Sequence, residues 1–161
     1  MKTNEDLKLV IAVRHGEYTN HGQRGLNDLG RQQSQLFATK LRAIIPQEYS
    51  VEIFSSILTR GQETAEILAS HLGATTKMLY ELCSDDFIDG EEKRQAILKS
   101  VNGSDAIVIV AHYTSPSGII NAFSEYHFKK QVSPQETKKG NGLMLDLCSG
   151  KVVTDLMDHT S

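Results

Sequence analysis

Two short, uninterrupted runs of apolar residues constrain the fold of this chain more than any other feature. They are Leu9 to Val13 and Ala106 to Ala111. Runs of this length are typical of parallel strands covered on both faces, because such strands have no solvent-facing side that needs polar residues. We therefore predict that both runs are central strands of a buried sheet.

Helical and strand-like patterns alternate along the rest of the chain. Alternation of this kind predicts a three-layer αβα sandwich with a mostly parallel central sheet, closed by a hairpin near the C-terminus. The remaining predicted elements are a helix at Leu36 to Ile45, a strand at Val51 to Ser55, a helix at Ala65 to Leu72 that stops at Gly73, a strand at Thr75 to Leu79, a helix at Glu91 to Val101, a helix through Ile119 and Tyr126, and hairpin strands at Leu143 to Leu147 and Val152 to Leu156.

Size and composition limit the classes of protein and partner. With 161 residues, of which 39% are hydrophobic, the chain is expected to form one domain over residues 1–161. A net charge of -3 provides no general basic field, so nucleic acid and anionic membranes are not expected partners. The polar N-terminus and the lack of a long apolar run predict a cytoplasmic protein. Cys83 and Cys148 are expected to be thiols.

Polar residues suited to phosphate chemistry follow three of the predicted strands directly. The sequence Arg14-His15-Gly16-Glu17 ends the first apolar run, Arg60 lies just beyond the strand at Val51 to Ser55, and His112 follows Ala111. Ligands of open α/β sheets bind at the carboxyl ends of the strands. The three positions therefore predict one common site.

Each of these residues taken alone could have a purely structural role, but the chemical properties of all of them suit a phosphate site. A histidine nucleophile needs a neutral imidazole, and Arg14 would lower the pKa of His15 while also holding an anionic substrate. Arg60 falls at a helix start, where a cation opposes the helix dipole and so needs another reason to be present. Arginine grips phosphate bidentately. Together with His112, these residues predict a phosphate-binding pocket.

Two longer motifs resemble the histidine phosphatase superfamily, which includes phosphoglycerate mutases and phosphomonoesterases. The family pattern of Arg-His-Gly-Glu followed by Leu-Thr-x-x-Gly-x-x-Gln is matched by Arg14 to Glu17 and Leu26 to Gln33, with Asn27 in place of threonine. The pattern Ser-Pro-Leu-x-Arg-Ala-x-Gln-Thr-Ala is matched by Ser56 to Ala65, and it departs at Ile57, Gly61 and Glu63. Size and layout are most similar to the short phosphohistidine phosphatases.

The resemblance implies a phosphoglycerate mutase-like fold and a role for each pocket residue. His15 would attack phosphorus and become a phosphohistidine, while Arg14, Arg60 and His112 hold the equatorial oxygens until water hydrolyses the intermediate. No metal or other cofactor is implied.

Two further roles are assigned by the same resemblance. Glu81 falls where the family often has Leu-x-Glu and is the first candidate for a general acid, with Asp85 and Asp86 as alternatives; an ordinary solvated acidic loop is the competing interpretation. Asn20, one residue short of the family's frequent asparagine position, is a candidate for substrate binding.

The segment between Arg60 and His112 is too short for the lid of the larger family members. An open pocket favours a phosphorylated protein or a bulky ester as the partner. The predicted function is a metal-independent phosphatase that acts on a phosphomonoester or a phosphohistidine. The alternatives are a non-catalytic phosphate-binding or scaffold domain and, less favoured because it must shield its phosphoenzyme from water, a phosphoglycerate-type mutase.

The least regular stretch, Asn121 to Asn141, contains four lysines around Ser133-Pro134. A solvated loop is the preferred interpretation, and contact with an acidic partner is the alternative. No pattern in the sequence specifies an oligomeric state.

Overall fold

The computed structural model describes residues 6–19, 25–83, 89–113 and 115–158. Helices and strands alternate along these residues, as predicted. In chain order they are β1 (Leu9–Arg14), α1 (Asp28–Ile44), β2 (Val51–Ser55), α2 (Thr59–Leu72), β3 (Thr75–Met78), a 3-10 turn (Tyr80–Leu82), α3 (Gly90–Ser100), β4 (Ala106–Ala111), α4 (Ser115–Phe128), β5 (Gly142–Asp146) and β6 (Val152–Val153).

The strands form one sheet in the order β3-β2-β4-β1-β5-β6. The first four of these are parallel, and β5 and β6 pair antiparallel at one end. In the central pair Leu9 lies opposite Ala106 and Arg14 lies opposite Ala111, so β1 and β4 end at the same level. The carboxyl ends of all four parallel strands therefore share one edge of the sheet.

Helices cover both faces of the sheet, which confirms the predicted three-layer sandwich. Alternate residues of β1 point to opposite faces, and Val10 and Ile11 are both fully buried. Val10 belongs to a core cluster that includes Ile97 of α3 and Phe123 of α4. Ile11 belongs to a second cluster that includes Leu41 of α1 and Leu68 of α2. Each helix pair thus packs on its own side of the sheet.

The second strand of the C-terminal hairpin is shorter than predicted. It ends at Val153, because the chain turns there and the backbone N–H of Leu156 donates to Gly142 O at 3.0 Å. Leu156 is fully buried in the cluster under α1 and α2. Leu156 is therefore apolar because it packs into the core from a turn, and not because it belongs to a strand.

The prediction of a solvated loop at Asn121 to Asn141 is wrong in part. Helix α4 continues to Phe128, and the chain after it returns to the strand edge. Thr137 is buried, and Gly140 N donates to Arg14 O at 3.1 Å and to His15 O at 3.2 Å. The segment that was predicted to be a solvated loop therefore packs against the end of β1 and the residue that follows it.

The described residues also address two expectations from composition. Cys83 and Cys148 are both free. Among helices of the described ranges, none is long and apolar enough to cross a membrane.

Candidate active site

His15 and His112 lie side by side, because each follows one strand of the central parallel pair. His15 N donates to Ala111 O at 3.2 Å, which continues the pairing of the two strands by one residue. The imidazole centroids are 4.9 Å apart with an angle of 55° between the rings. Both side chains are buried, with exposed fractions of 2% for His15 and 8% for His112.

The hydrogen bonds of His15 define its tautomer. Its Nδ1 lies 2.8 Å from the carbonyl oxygen of Gly16, which can only accept a hydrogen bond, so the ring proton is on Nδ1. The lone pair of the neutral ring is then on Nε2. Arg60 Nε donates to this atom at 3.3 Å. His15 Nε2 is therefore an available nucleophile beside a guanidinium group.

Both histidines are neutral near pH 7. Burial is the main cause that lowers the pKa of His15 from 6.5 to about 4; the Gly16 hydrogen bond opposes it, and the charges of Arg60 and Arg14 add to it. Burial also lowers the pKa of His112 to about 3, with further contributions from His15 and Arg60. A neutral imidazole is the form that can attack phosphorus.

Arg60 is the second residue of α2 and is held against an aromatic ring. Its guanidinium carbon lies 4.4 Å from the centroid of Tyr18, whose ring meets His15 edge-on at 5.3 Å. The first turn of α2 has no acidic residue, and Leu58 provides no side-chain cap. The positive end of α2 therefore adds to the charge of Arg60 at the site.

Arg14 is positioned by residues distant in the sequence. Its Nη1 donates to Thr137 O at 2.9 Å, and its guanidinium carbon lies 5.2 Å from the centroid of Tyr113. Tyr113 adopts a φ of 46°, a left-handed conformation that is uncommon for a tyrosine. This conformation occurs directly after His112, where the family usually has glycine.

Unpartnered donors point to an anionic ligand. Arg14 Nε and His112 Nδ1 are buried atoms without a hydrogen-bond partner among the described residues. Buried polar groups are almost always paired, and an unpaired one costs about 1–3 kcal/mol. A phosphoryl oxygen would pair with Arg14 Nε, and also with His112 Nδ1 in the tautomer that carries its proton there.

The Leu26 to Gln33 motif supports the loop that carries His15. Gly16 and Gly30 pack so closely that a Cβ on Gly16 would lie 2.5 Å from Gly30 O, and one on Gly30 would overlap Glu17 O. Glu17 N donates to Gln33 Oε1 at 2.8 Å. Asn27 caps α1 through Gly30 N at 2.9 Å, so it serves as a helix cap in place of the family's threonine.

Several residues of the site were missed by the sequence analysis. Thr64 and Ser56 both lie inside the Ser56 to Ala65 motif. Thr64 Oγ1 accepts a hydrogen bond from Gly16 N, and Ser56 Oγ is hydrogen-bonded to His112 Nε2. Tyr18 follows the nucleophile motif closely enough to have been considered. Lys139 had no local signal: it pairs with Glu17 at 3.1 Å and lies 5.1 Å from the Tyr18 centroid because the chain returns from α4.

A buried lysine also adjoins the site. Lys93 of α3 is 3% exposed and donates to Ser115 Oγ at 2.8 Å. Its charge contributes to the low pKa of His112. Sequence periodicity had placed it on a helix without indicating that its ammonium group would be buried.

Glu81 lies in the 3-10 turn after β3, at the strand edge that carries the site. Strand β3 is two strands from β4 and three from β1. No hydrogen bond or ion pair joins Glu81 to the rest of the described chain. Its role as the general acid stays a prediction. Asn20, Asp85 and Asp86 lie outside the described residues.

In the part of the chain that the structure describes, no group of three or more histidine, cysteine, aspartate or glutamate side chains is arranged to hold a metal ion.

A family model establishes the relationship that the motifs suggested. The model of the histidine phosphatase superfamily, branch 1, matches residues 10–101, which is more than half of the chain. The chain belongs to the histidine phosphatase superfamily. That match contains Arg14, His15 and Arg60, whereas His112 lies beyond it.

Solved structures agree with this histidine phosphatase fold. A protein histidine phosphatase SixA complexed with tungstate superimposes with a TM-score of 0.67 at 19% identity, covering 91% of this chain and 93% of that one. A mycobacterial glucosyl-3-phosphoglycerate phosphatase gives 0.59 at 16% identity, with coverages of 96% and 100%. A phosphoglycerate mutase from Plasmodium falciparum gives 0.59 at 18% identity, with coverages of 96% and 94%. At these identities the likeness establishes a shared fold.

A search of curated proteins found no significant match.

Gly30→Ala should destabilise this histidine phosphatase through the loop after β1. The added Cβ overlaps Glu17 O, a backbone atom with little freedom to move, so the free energy of unfolding should fall by about 1–3 kcal/mol. Gly118→Ala in α4 is the matched control, because its Cβ meets nothing within 4 Å. Urea unfolding of both variants measures the effect. Equal stability of Gly30→Ala and wild type would contradict the close packing.

Titration of the two site histidines should show depressed pKa values in phosphate-free buffer. We expect NMR of labelled imidazoles to show neutral rings down to about pH 5, with pKa values of about 4 for His15 and about 3 for His112. Unfolded histidine titrates near 6.5, so the unfolded chain binds more protons between there and the folded values. The free energy of unfolding should therefore fall as pH decreases through that window. Midpoints near 6.5 would contradict the assignment.

Proposed function

We propose that the protein is a metal-independent phosphatase that hydrolyses a phosphomonoester or a phosphohistidine through a covalent intermediate on His15. The observation that carries the proposal is the His15 ring: it is neutral, its proton is on Nδ1, and Nε2 lies 3.3 Å from Arg60 Nε. Membership of the histidine phosphatase superfamily supports the same chemistry.

The first step forms a bond from His15 Nε2 to phosphorus while the bond to the leaving group breaks. The leaving group departs with the electron pair and takes a proton from an acid or from water. In the second step water attacks phosphorus, the N–P bond breaks, and the electron pair returns to Nε2. Inorganic phosphate is released, and the proton lost by water leaves with phosphate or solvent.

Positive charge is already in place where the transferring group would gather negative charge. Arg14, Arg60 and the start of α2 offer N–H donors, and His112 adds one more. Such preorganised donors commonly contribute about 10²–10³-fold each to the rate of charge-developing steps. This arrangement supports turnover over a scaffold role, since simple phosphate binding does not require a neutral nucleophile beside the anion.

The surroundings of His15 favour a substrate whose leaving group needs little protonation. Among the described residues of the site the carboxylate is Glu17, and it is paired with Lys139 at 3.1 Å. An imidazole leaving from a phosphohistidine is much less basic than an alkoxide, so it depends less on a positioned acid. The similar structure named a protein histidine phosphatase supports the same substrate class, a phosphohistidine on a protein.

Replacement of His15 tests the proposed nucleophile. His15→Ala should lower kcat/KM for an aryl phosphate and for a phosphohistidine peptide by at least about 10³-fold, because the variant lacks the ring nitrogen that would accept the phosphoryl group. Quenching wild type during turnover of labelled substrate should trap an acid-labile phosphoprotein.

His71→Ala is the matched control for that experiment. His71 is an exposed histidine in the last turn of α2, about 16 Å along the helix from Arg60. Its loss should leave the rate unchanged. Equal rates for wild type and His15→Ala would disprove the nucleophile, and phosphate binding without any hydrolysis by wild type would favour the scaffold alternative.

Glu81→Gln tests whether this residue is the general acid. If it is, hydrolysis of an alkyl phosphate should slow by about 10²-fold, while hydrolysis of an aryl phosphate or a phosphohistidine peptide changes far less. Glu125→Gln, which alters an exposed carboxylate of α4, is the control. An unchanged alkyl rate would remove Glu81 from the mechanism and direct attention to Asp85 and Asp86.

A further inference from the structure

We propose that Ser56 is a positioning residue that holds His112 in the tautomer whose proton is on Nδ1, so that His112 donates to the phosphoryl group. The inference rests on the proposed function, because it assigns a role within the same site. It concerns a residue of the motif after β2 that does not itself touch the reacting atoms.

Ser56 is fully buried and faces His112 across neighbouring strands. Strand β2 pairs with β4, with Ser55 opposite Val110, so the residues following the two strands lie together at the sheet edge. Ser56 Oγ is 2.8 Å from His112 Nε2. Its exposed fraction is 0%, which leaves water no access to the hydroxyl group.

The second partner of Ser56 determines the direction of this hydrogen bond. Leu58 N–H lies 3.4 Å from Ser56 Oγ, and an N–H can only donate. The hydroxyl proton therefore has His112 Nε2 as its acceptor. Among the described residues Ser56 Oγ has no other acceptor, so the reverse arrangement would leave this proton unpaired there, at a cost of about 1–3 kcal/mol.

The direction of the bond fixes what His112 presents to a ligand. A neutral imidazole that accepts at Nε2 carries its proton on Nδ1. His112 Nδ1 is one of the buried atoms without a partner, as is Arg14 Nε on the adjacent strand end. A donor at that atom would attract a phosphoryl oxygen, whereas a lone pair there would repel it.

Gly61 provides the space that the Ser56 hydroxyl occupies. A Cβ at position 61 would lie 2.5 Å from Ser56 Oγ, closer than two such atoms approach. The family pattern has alanine there, so the glycine of this chain is a departure with a physical consequence. Alanine at position 61 would force the Ser56 side chain to rotate, and the hydroxyl would leave His112.

Two variants therefore disturb the same hydrogen bond in different ways. Ser56→Ala removes the hydroxyl group, whereas Gly61→Ala keeps it and displaces it. Gly118→Ala is the control for adding a methyl group to a helix without a contact. In each protein, NMR of labelled imidazole nitrogens gives the tautomer of His112, and titration with inorganic phosphate gives the affinity of the site.

We expect the Nδ1–H form of His112 in wild type and in Gly118→Ala. Both other variants should gain the Nε2–H form and bind phosphate about tenfold more weakly, as expected for one lost hydrogen bond to a charged group. An Nε2–H tautomer in wild type, or an unchanged tautomer and affinity in Ser56→Ala, would overturn the proposal.

These measurements do not depend on turnover. A wild type that shows the Nδ1–H tautomer and tight phosphate binding but hydrolyses no phosphorylated substrate would disprove the proposed phosphatase activity and still support the role of Ser56. Conversely, a wild type that hydrolyses phosphorylated substrates but whose His112 tautomer is unchanged by Ser56→Ala would support the phosphatase activity and disprove the role of Ser56.

Discussion

Six residue pairs join β1 to β4 in parallel, and the geometry of the site depends on this pairing. Because Arg14 lies opposite Ala111, the next residue of each strand is a histidine, and the two rings lie 4.9 Å apart. A shift of one residue would move one ring to the other face of the sheet, since side chains alternate along a strand. The buried apolar faces of both strands prevent that shift, so core packing also sets the spacing of the site.

Burial also determines which groups of the site are charged and which are neutral. Two imidazoles close to Arg14, Arg60 and nearby lysines cannot take up a second proton at neutral pH, because burial and like charge both disfavour the imidazolium form. The guanidinium groups keep their charge. The result is a region of fixed positive charge next to an uncharged imidazole, which is the combination that the proposed transfer of a phosphoryl group to His15 requires.

Much of this arrangement could be predicted from sequence because local patterns encode it. The apolar runs define the central strands, and the residues directly after them occupy the strand ends, so Arg14, His15 and His112 were predictable neighbours. Lys139 and Thr137 were not, because their place depends on where the chain goes after α4. The left-handed backbone of Tyr113 and its contact with Arg14 likewise depend on the tertiary structure. Glu81 stands in contrast, since its motif position predicts a role for which the described residues show no hydrogen bond or ion pair of its side chain.

The sheet order also has a consequence for the way the chain reaches its native state. Of these strands β1 is made first, but it lies between β4, which begins about 90 residues further along the chain, and β5, which begins about 130 residues further along. Contacts this distant along the chain form slowly, because a large loop must close before they contribute. During synthesis the nucleophile loop therefore has no strand on either side until most of the protein has emerged. The pocket around His15 is therefore completed late, and an incomplete chain carries His15 without the environment that keeps it neutral.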